Sequence, residues 1–301
     1  MNAQASAFEA ALPLRRVVGE GPAGDAYGPV FFLDIDNTYL QTNTRGLHNL
    51  ARRALEAAQA KQPVPGMPEL IRALRRGPGG GARRRVIFVS ASPPLMEKVL
   101  RERLRLDGIA YDGICFKDQW QHIKGGEIRR LRRQAGYKLT ALLLYARELP
   151  SHEPQILVGD DLEQDAGIYA TYAEAVAGRL AGAELERRLE VLKASTDEHE
   201  AIARLLAELP RADRVQAIAI LGSGARQRHL QAVFPPYLAF GPGAADHACR
   251  FFGLGFIDRA QAQEVFAACG PLARSSALER AEAQGQLRGR ALARLRGELA
   301  K

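Results

Sequence analysis

The sequence predicts an α/β fold, a parallel sheet between two layers of helices, followed by a helical and small α/β extension. Three observations predict it. Residues 30–35, 86–89 and 155–158 are nearly continuous apolar runs, the pattern of strands buried on both faces. Helical stretches separate them, as right-handed crossovers between parallel strands require. Each run stops at polar residues, namely Asp34 and Asp36, Ser90, and Asp160 and Asp161. Parallel sheets bind ligands at the carboxyl ends of their strands, so these three ends converge on one candidate site.

Taken in order, residues 1–28 read as an extension leading into the first strand. Residues 47–60 predict a helix. Pro63, Pro65 and Gly66 break the chain before a second helix over 67–76, with Leu70, Ile71 and Leu74 on one face. Residues 77–81 form a glycine-rich loop before the second strand, and residues 97–106 predict a helix. A short strand over 113–116 precedes a polar loop with Gly125 and Gly126, then a long amphipathic helix to about Leu149. Beyond Tyr172 the chain is helical and charge-rich through Glu208. Residues 215–221 predict a further strand, residues 237–240 an apolar segment, and residues 275–301 a surface helix. The expected organisation is an N-terminal extension (1–28), a core (29–180) and an extension (181–301) that could continue the same sheet.

Composition is ordinary for a globular chain of 301 residues, with 47% hydrophobic and 25% charged residues. No apolar run approaches the roughly 20 residues needed to span a bilayer. The N-terminus lacks a basic start followed by an apolar stretch, so no secretory signal is expected. Cys115, Cys249 and Cys269 are too far apart for a metal-ligand pair or a disulfide framework, which suits a reducing cytoplasm. The net charge of +8 attracts polyanions but selects none, so it leaves nucleic acid, lipid surfaces and phosphorylated molecules all open.

The first run continues Leu33-Asp34-Ile35-Asp36-Asn37-Thr38. Two carboxylates one residue apart beyond a buried strand repel unless a cation lies between them, and magnesium prefers such oxygen ligands. The first carboxylate can then attack phosphorus, and the second can protonate the leaving oxygen and later activate water. Thr38 would steady the turn and the acid. The alternative is a strand-end turn in which Asp36 or Asn37 caps backbone groups. Ser90 puts a hydroxyl where a phosphoryl oxygen could rest, though serines at strand ends are common. Lys138, opening an apolar helix, supplies a compact positive charge or is a solvated helix lysine. Gly159-Asp160-Asp161-Leu162-Glu163-Gln164-Asp165 is an acidic loop after a third strand, which calls for a cation or is merely solvated.

In order and spacing, Asp34/Asp36/Thr38, Ser90, Lys138 and Asp160/Asp165 resemble the four motifs of the haloacid dehalogenase superfamily. Asp34–Thr38, the 65–70 stretch Pro-Gly-Met-Pro-Glu-Leu, the 88–93 stretch Phe-Val-Ser-Ala-Ser-Pro, Val158-Gly159-Asp160, Asp165 and Ile168-Tyr169 narrow this further. They are similar to the catalytic domain of actin-patch-associated phosphatidate phosphatases and their bacterial relatives, over about residues 29–175. The resemblance implies a three-layer Rossmann-like sheet, magnesium, and phosphatase activity on phosphatidate or another phosphorylated substrate, lipid at a membrane surface included. It implies Asp34 as nucleophile and metal ligand, Asp36 as acid/base and metal ligand, and Asp160 as metal ligand. Ser90, Lys138 and Thr38 would hold the phosphoryl group, and Asp161 or Asp165 would complete the metal site or pair with Lys138. Asn37 departs from the family's usual third acid, and Asp161-Leu162 from the small residues usual there. Lys124 competes with Lys138 for the lysine of the third motif. The short insertion at 41–66 implies a small cap and an open site. Phosphorylated nucleic-acid ends or sugars are the other substrate classes considered, and a non-catalytic phosphate- or lipid-binding module the third reading.

Gly222-Ser223-Gly224 lacks the third glycine of a dinucleotide fingerprint, since residue 227 is Gln227, and reads as a turn. Phe251, Phe252 and Phe256 read as core, and Arg83–Arg85 as a solvated strand edge.

Overall fold

The computed structural model describes residues 12–19, 28–41, 60–118, 134–225 and 232–283, together with Gly297. Among these residues seven strands join in one sheet: β1 (Leu14–Val18), β2 (Val30–Leu33), β3 (Val86–Ser90), β4 (Gly113–Lys117), β5 (Gln155–Asp160), β6 (Val215–Leu221) and β7 (Leu238–Gly241). Their spatial order is β1-β4-β3-β2-β5-β6-β7. All neighbours are parallel except β1, which runs antiparallel to β4 at the edge. The first strand of the parallel set, β2, is therefore central, with Leu33 paired to Phe88 on one side and to Val158 on the other.

Nine described helices cover the sheet: α1 (Met67–Arg76), α2 (Glu97–Leu106), α3 (Ala135–Glu148), α4 (Asp165–Val176), α5 (Gly182–Val191), α6 (Thr196–Glu208), α7 (Ala244–Gly253), α8 (Arg259–Cys269) and α9 (Ala273–Ala283). Successive strand residues face opposite sides, which splits the core into two layers. Phe31, Leu33, Phe88 and Val158 pack with α1, α2, α7, α8 and α9. Phe32, Val89, Leu157 and Ile218 pack with α3, α4, α5 and α6. The continuous apolar runs follow from this double coverage, since neither face of β2, β3 or β5 meets water. Phe251 and Phe252 are fully buried, and Phe256 stacks edge-on against Phe31 at 6.2 Å.

The segment expected only as an N-terminal extension contributes β1. This strand is half exposed and carries two arginines between Pro13 and Gly19, so it lacks the apolar run that marks the inner strands. Residues 237–240, expected as an apolar segment, supply β7. The predicted helix at 47–60 and the cap at 41–66 fall largely outside the described residues, as do Lys124 and the chain beyond Ala283 apart from Gly297. No described helix is long and apolar enough to cross a membrane.

Candidate active site

The site is built at the carboxyl ends of β2, β3 and β5. Asp34 follows β2 directly, its amide donating to the Val158 carbonyl (2.9 Å), so the strand pairing itself aims the side chain out of the sheet end. The chain then turns tightly. The amides of Tyr39 and Leu40 both donate to the Ile35 carbonyl, the Asn37 amide donates to the Leu40 carbonyl, and Asn37 takes a left-handed φ of 59°. Asparagine tolerates that conformation better than most residues.

Lys138 enters from the first turn of α3, fully buried, and its Nζ lies 2.9 Å from Asp34 Oδ1, 3.0 Å from Glu163 Oε2 and 2.5 Å from Asp165 Oδ1. The contact with Asp34 has the distance of an ion pair without the alignment of a hydrogen bond. Asp160, at the end of β5, accepts from the amides of Leu162 (2.6 Å) and Glu163 (3.0 Å) through Oδ1. Asp165 opens α4, where the positive helix terminus favours a carboxylate. Gly159 makes room for it: a Cβ at that position would lie 2.4 Å from Asp165 Oδ2.

One oxygen each from Asp34, Asp160, Glu163 and Asp165 lie within 4.8 Å of one another. Four carboxylates against one ammonium leave excess negative charge in a buried place. Burial drives the Asp34 carboxyl well above the usual range, with Lys138 opposing and Asp165, Glu163 and Asp160 adding to the rise. Burial, then Asp165, pushes Asp160 up to about 8, and Glu163 rises for the same reasons. Burial pulls the Lys138 amine down, but Asp165, Asp34 and Glu163 overcome it and hold the amine well above its ordinary value. Glu163 and Asp165 are engaged with Lys138, whereas Asp34 Oδ2 and Asp160 Oδ2 are buried with no hydrogen-bond donor. A hard divalent cation fits that donor set, because it would neutralise the excess charge and complete both orphaned oxygens.

The remaining predicted residues divide. Ser90 is buried, and its Oγ accepts from the Ser92 amide (3.1 Å), which leaves its own O–H to donate. Thr38 is buried with an unpartnered hydroxyl. Asp36 is half buried and accepts through Oδ2 from Ser92 Oγ at 2.8 Å, outside the four-carboxylate group. Asp161 turns away from that group: its Oδ2 accepts from the Gly224 amide (2.9 Å), and its carboxyl packs against Gly222. Adjacent residues beyond a strand point in different directions, so Asp161 binds the neighbouring turn and Asp160 faces the site.

The family model for "Phosphatidate phosphatase APP1, catalytic domain" matches residues 31–184, just over half of the chain. The chain belongs to this family. It is a phosphatase, and every carboxylate of the cluster lies within the segment matching the APP1 catalytic domain, as does Lys138. Among solved structures, a protein described as a HAD-like phosphatase from Mesorhizobium loti is similar at 16% identity and a TM-score of 0.37, over 65% of this chain and 96% of that one. No curated protein matches.

Two groups near the cluster are not singled out by the sequence. Glu163 is one, marked only as one acid of the loop that calls for a cation. Lys117 is the other. It ends β4, is 6% exposed, and burial brings its amine down to about 8 while Glu198 and Glu163 hold it up. Nothing in the sequence but its place after an apolar strand marks it.

Proposed function

We propose that this phosphatase hydrolyses phosphomonoesters through an aspartyl-phosphate on Asp34, with magnesium, and that phosphatidate or another phospholipid is its substrate class. The observation carrying the reading is the juxtaposition of Asp34 and Lys138 beside the orphaned oxygens of Asp34 and Asp160. Asp34 and Asp160 would hold the ion, which when bound neutralises negative charge at the transferring phosphoryl group. Lys138, kept charged by Asp165 and Glu163, places a fixed cation beside the attacking carboxylate. Ser90 and Thr38 donate hydroxyls to phosphoryl oxygens. Asp36 gives its proton to the leaving oxygen as the phosphorus–oxygen bond breaks and the Asp34–phosphorus bond forms. It then takes a proton from the water that cleaves the aspartyl-phosphate, which restores both carboxylates. The lipid substrate is supported by the family to which residues 31–184 belong.

The test is phosphate release from an aryl phosphate and from phosphatidate vesicles, in magnesium or chelator, by wild type and Asp34→Asn. Magnesium-dependent release is expected, with kcat/KM falling about 10³-fold or more in the variant. Release unchanged by Asp34→Asn would sink the mechanism. Turnover of the aryl phosphate with none of the lipid would leave the mechanism standing and remove the substrate assignment.

A further inference from the structure

Asp36 stands on a turn, two residues past the strand that fixes Asp34, and it is only half buried. An aspartate has two side-chain torsions to fix. General acid catalysis needs one oxygen of it aimed at the leaving group. The structure supplies a clamp from the adjacent strand's loop. Ser92 Oγ donates to Asp36 Oδ2 at 2.8 Å.

Ser92 is itself held from three directions. Its amide donates to Ser90 Oγ (3.1 Å), and its carbonyl accepts from the Lys117 amide (3.2 Å). Pro93 follows it, and the residue before a proline is restricted to extended backbone. Serine also has a single heavy-atom torsion to order, so little entropy is lost in keeping its hydroxyl on Asp36. The donor is more rigid than the group it contacts, which is the arrangement expected of a residue that orients another.

We propose that Ser92 is a positioning residue for phosphoryl transfer: by donating to Oδ2 of Asp36 it orients that carboxyl group for proton exchange. This rests on the reading of Asp36 as acid/base given above. In the first step the Asp36 carboxyl gives its proton to the leaving oxygen. In the second, a water proton returns to that carboxylate as the water oxygen bonds phosphorus and the bond between Asp34 and phosphorus breaks. Ser92 keeps its own proton throughout, so it is not consumed or charged at any stage. The same Ser-Ala-Ser stretch thereby does two things: Ser90 turns to the phosphoryl group, and Ser92 turns to the acid.

A misaligned acid hurts poor leaving groups selectively, because a nitrophenolate departs with little protonation and an alkoxide does not. The experiment measures kcat/KM, which reports the first phosphoryl transfer, for 4-nitrophenyl phosphate and for an alkyl phosphate. It compares wild type, Ser92→Ala, Ser92→Thr and Asp36→Asn, with thermal midpoints as a check on folding. Ser92→Ala is expected to lose about 10–100-fold on the alkyl phosphate and less than about threefold on the aryl phosphate, a part of what general acid catalysis contributes. Ser92→Thr, which retains the hydroxyl, is expected to restore most of the alkyl activity. If Asp36→Asn shows the leaving-group-selective loss and Ser92→Ala loses both substrates equally, or loses nothing, the positioning role is overturned. If Asp36→Asn shows no selectivity, the acid/base reading falls and takes this proposal with it.

Discussion

Lys138 holds together carboxylates that would otherwise repel. Its amine is buried among Asp34, Glu163 and Asp165, so Lys138→Met leaves buried negative charge without compensation. Removing one partner from a buried ionic group costs about 3–5 kcal/mol, and urea unfolding in chelator should show a loss of that size. Adding Asp165→Asn to Lys138→Met removes one of the stranded charges and should recover part of the stability but none of the activity. A single variant as stable as wild type would contradict this account of the cluster. At this scale the sequence is legible where a residue ends a buried strand: Asp34, Ser90 and Asp160 are carried to one edge of the sheet by pairing alone. Glu163 is not legible, because its direction depends on the loop between Asp160 and α4. Asp161 shows the same limit in reverse, since an acid next to Asp160 bonds the Gly224 amide instead.

At the scale of the element, the turn from β5 into α4 depends on a glycine for space. A methyl group at Gly159 would sit 2.7 Å from Asp165 Cβ and 2.8 Å from Tyr169 Cε2, atoms fixed by α4 and unable to move singly. Gly159→Ala should therefore cost about 1–3 kcal/mol as overpacking does, and should lower turnover more than tenfold or so by displacing Asp165 from Lys138. Gly81, with open space around its Cβ position, is the control: Gly81→Ala should stay within about 0.5 kcal/mol of wild type in thermal denaturation. Equal effects at the two positions would refute the steric argument. The inner strands are legible because burial on both faces leaves one pattern available to them. Strand β1 is not, because pairing to β4 on one side alone tolerates the arginines and exposed Val18 that hide it.

At the scale of the whole molecule, stability should depend on His247 in α7. It is 1% exposed, and burial, then Arg250, lowers its pKa from 6.5 to about 4 although Asp246 and the Ile220 carbonyl favour its charged form. The folded protein therefore refuses a proton that the unfolded chain accepts. Stability is complete above pH 6.5 and declines as pH falls towards 4, by at most about 3 kcal/mol from this group. Unfolding free energies of wild type and His247→Asn across pH 4–7 should converge towards the acid end, and parallel curves would show that the imidazole contributes nothing. His247 lies beyond the segment that matches the family, yet β6 extends the sheet from β5, and α7–α9 close the layer beneath Phe31 and Leu33.

That continuity bears on when the protein becomes an enzyme during its synthesis. A nascent chain that has emerged only as far as residue 184 carries every carboxylate of the cluster. It still has β5 open along one side and the layer beneath β2 covered only in part, by α1 and α2, because β6 and α7–α9 have not yet emerged. α7–α9 must follow before the layer beneath the strand bearing Asp34 is complete, so its enclosure is finished only by the last third of the chain. A frameshift in that third would leave the strand bearing Asp34 covered only in part, although every carboxylate of the cluster had already been made.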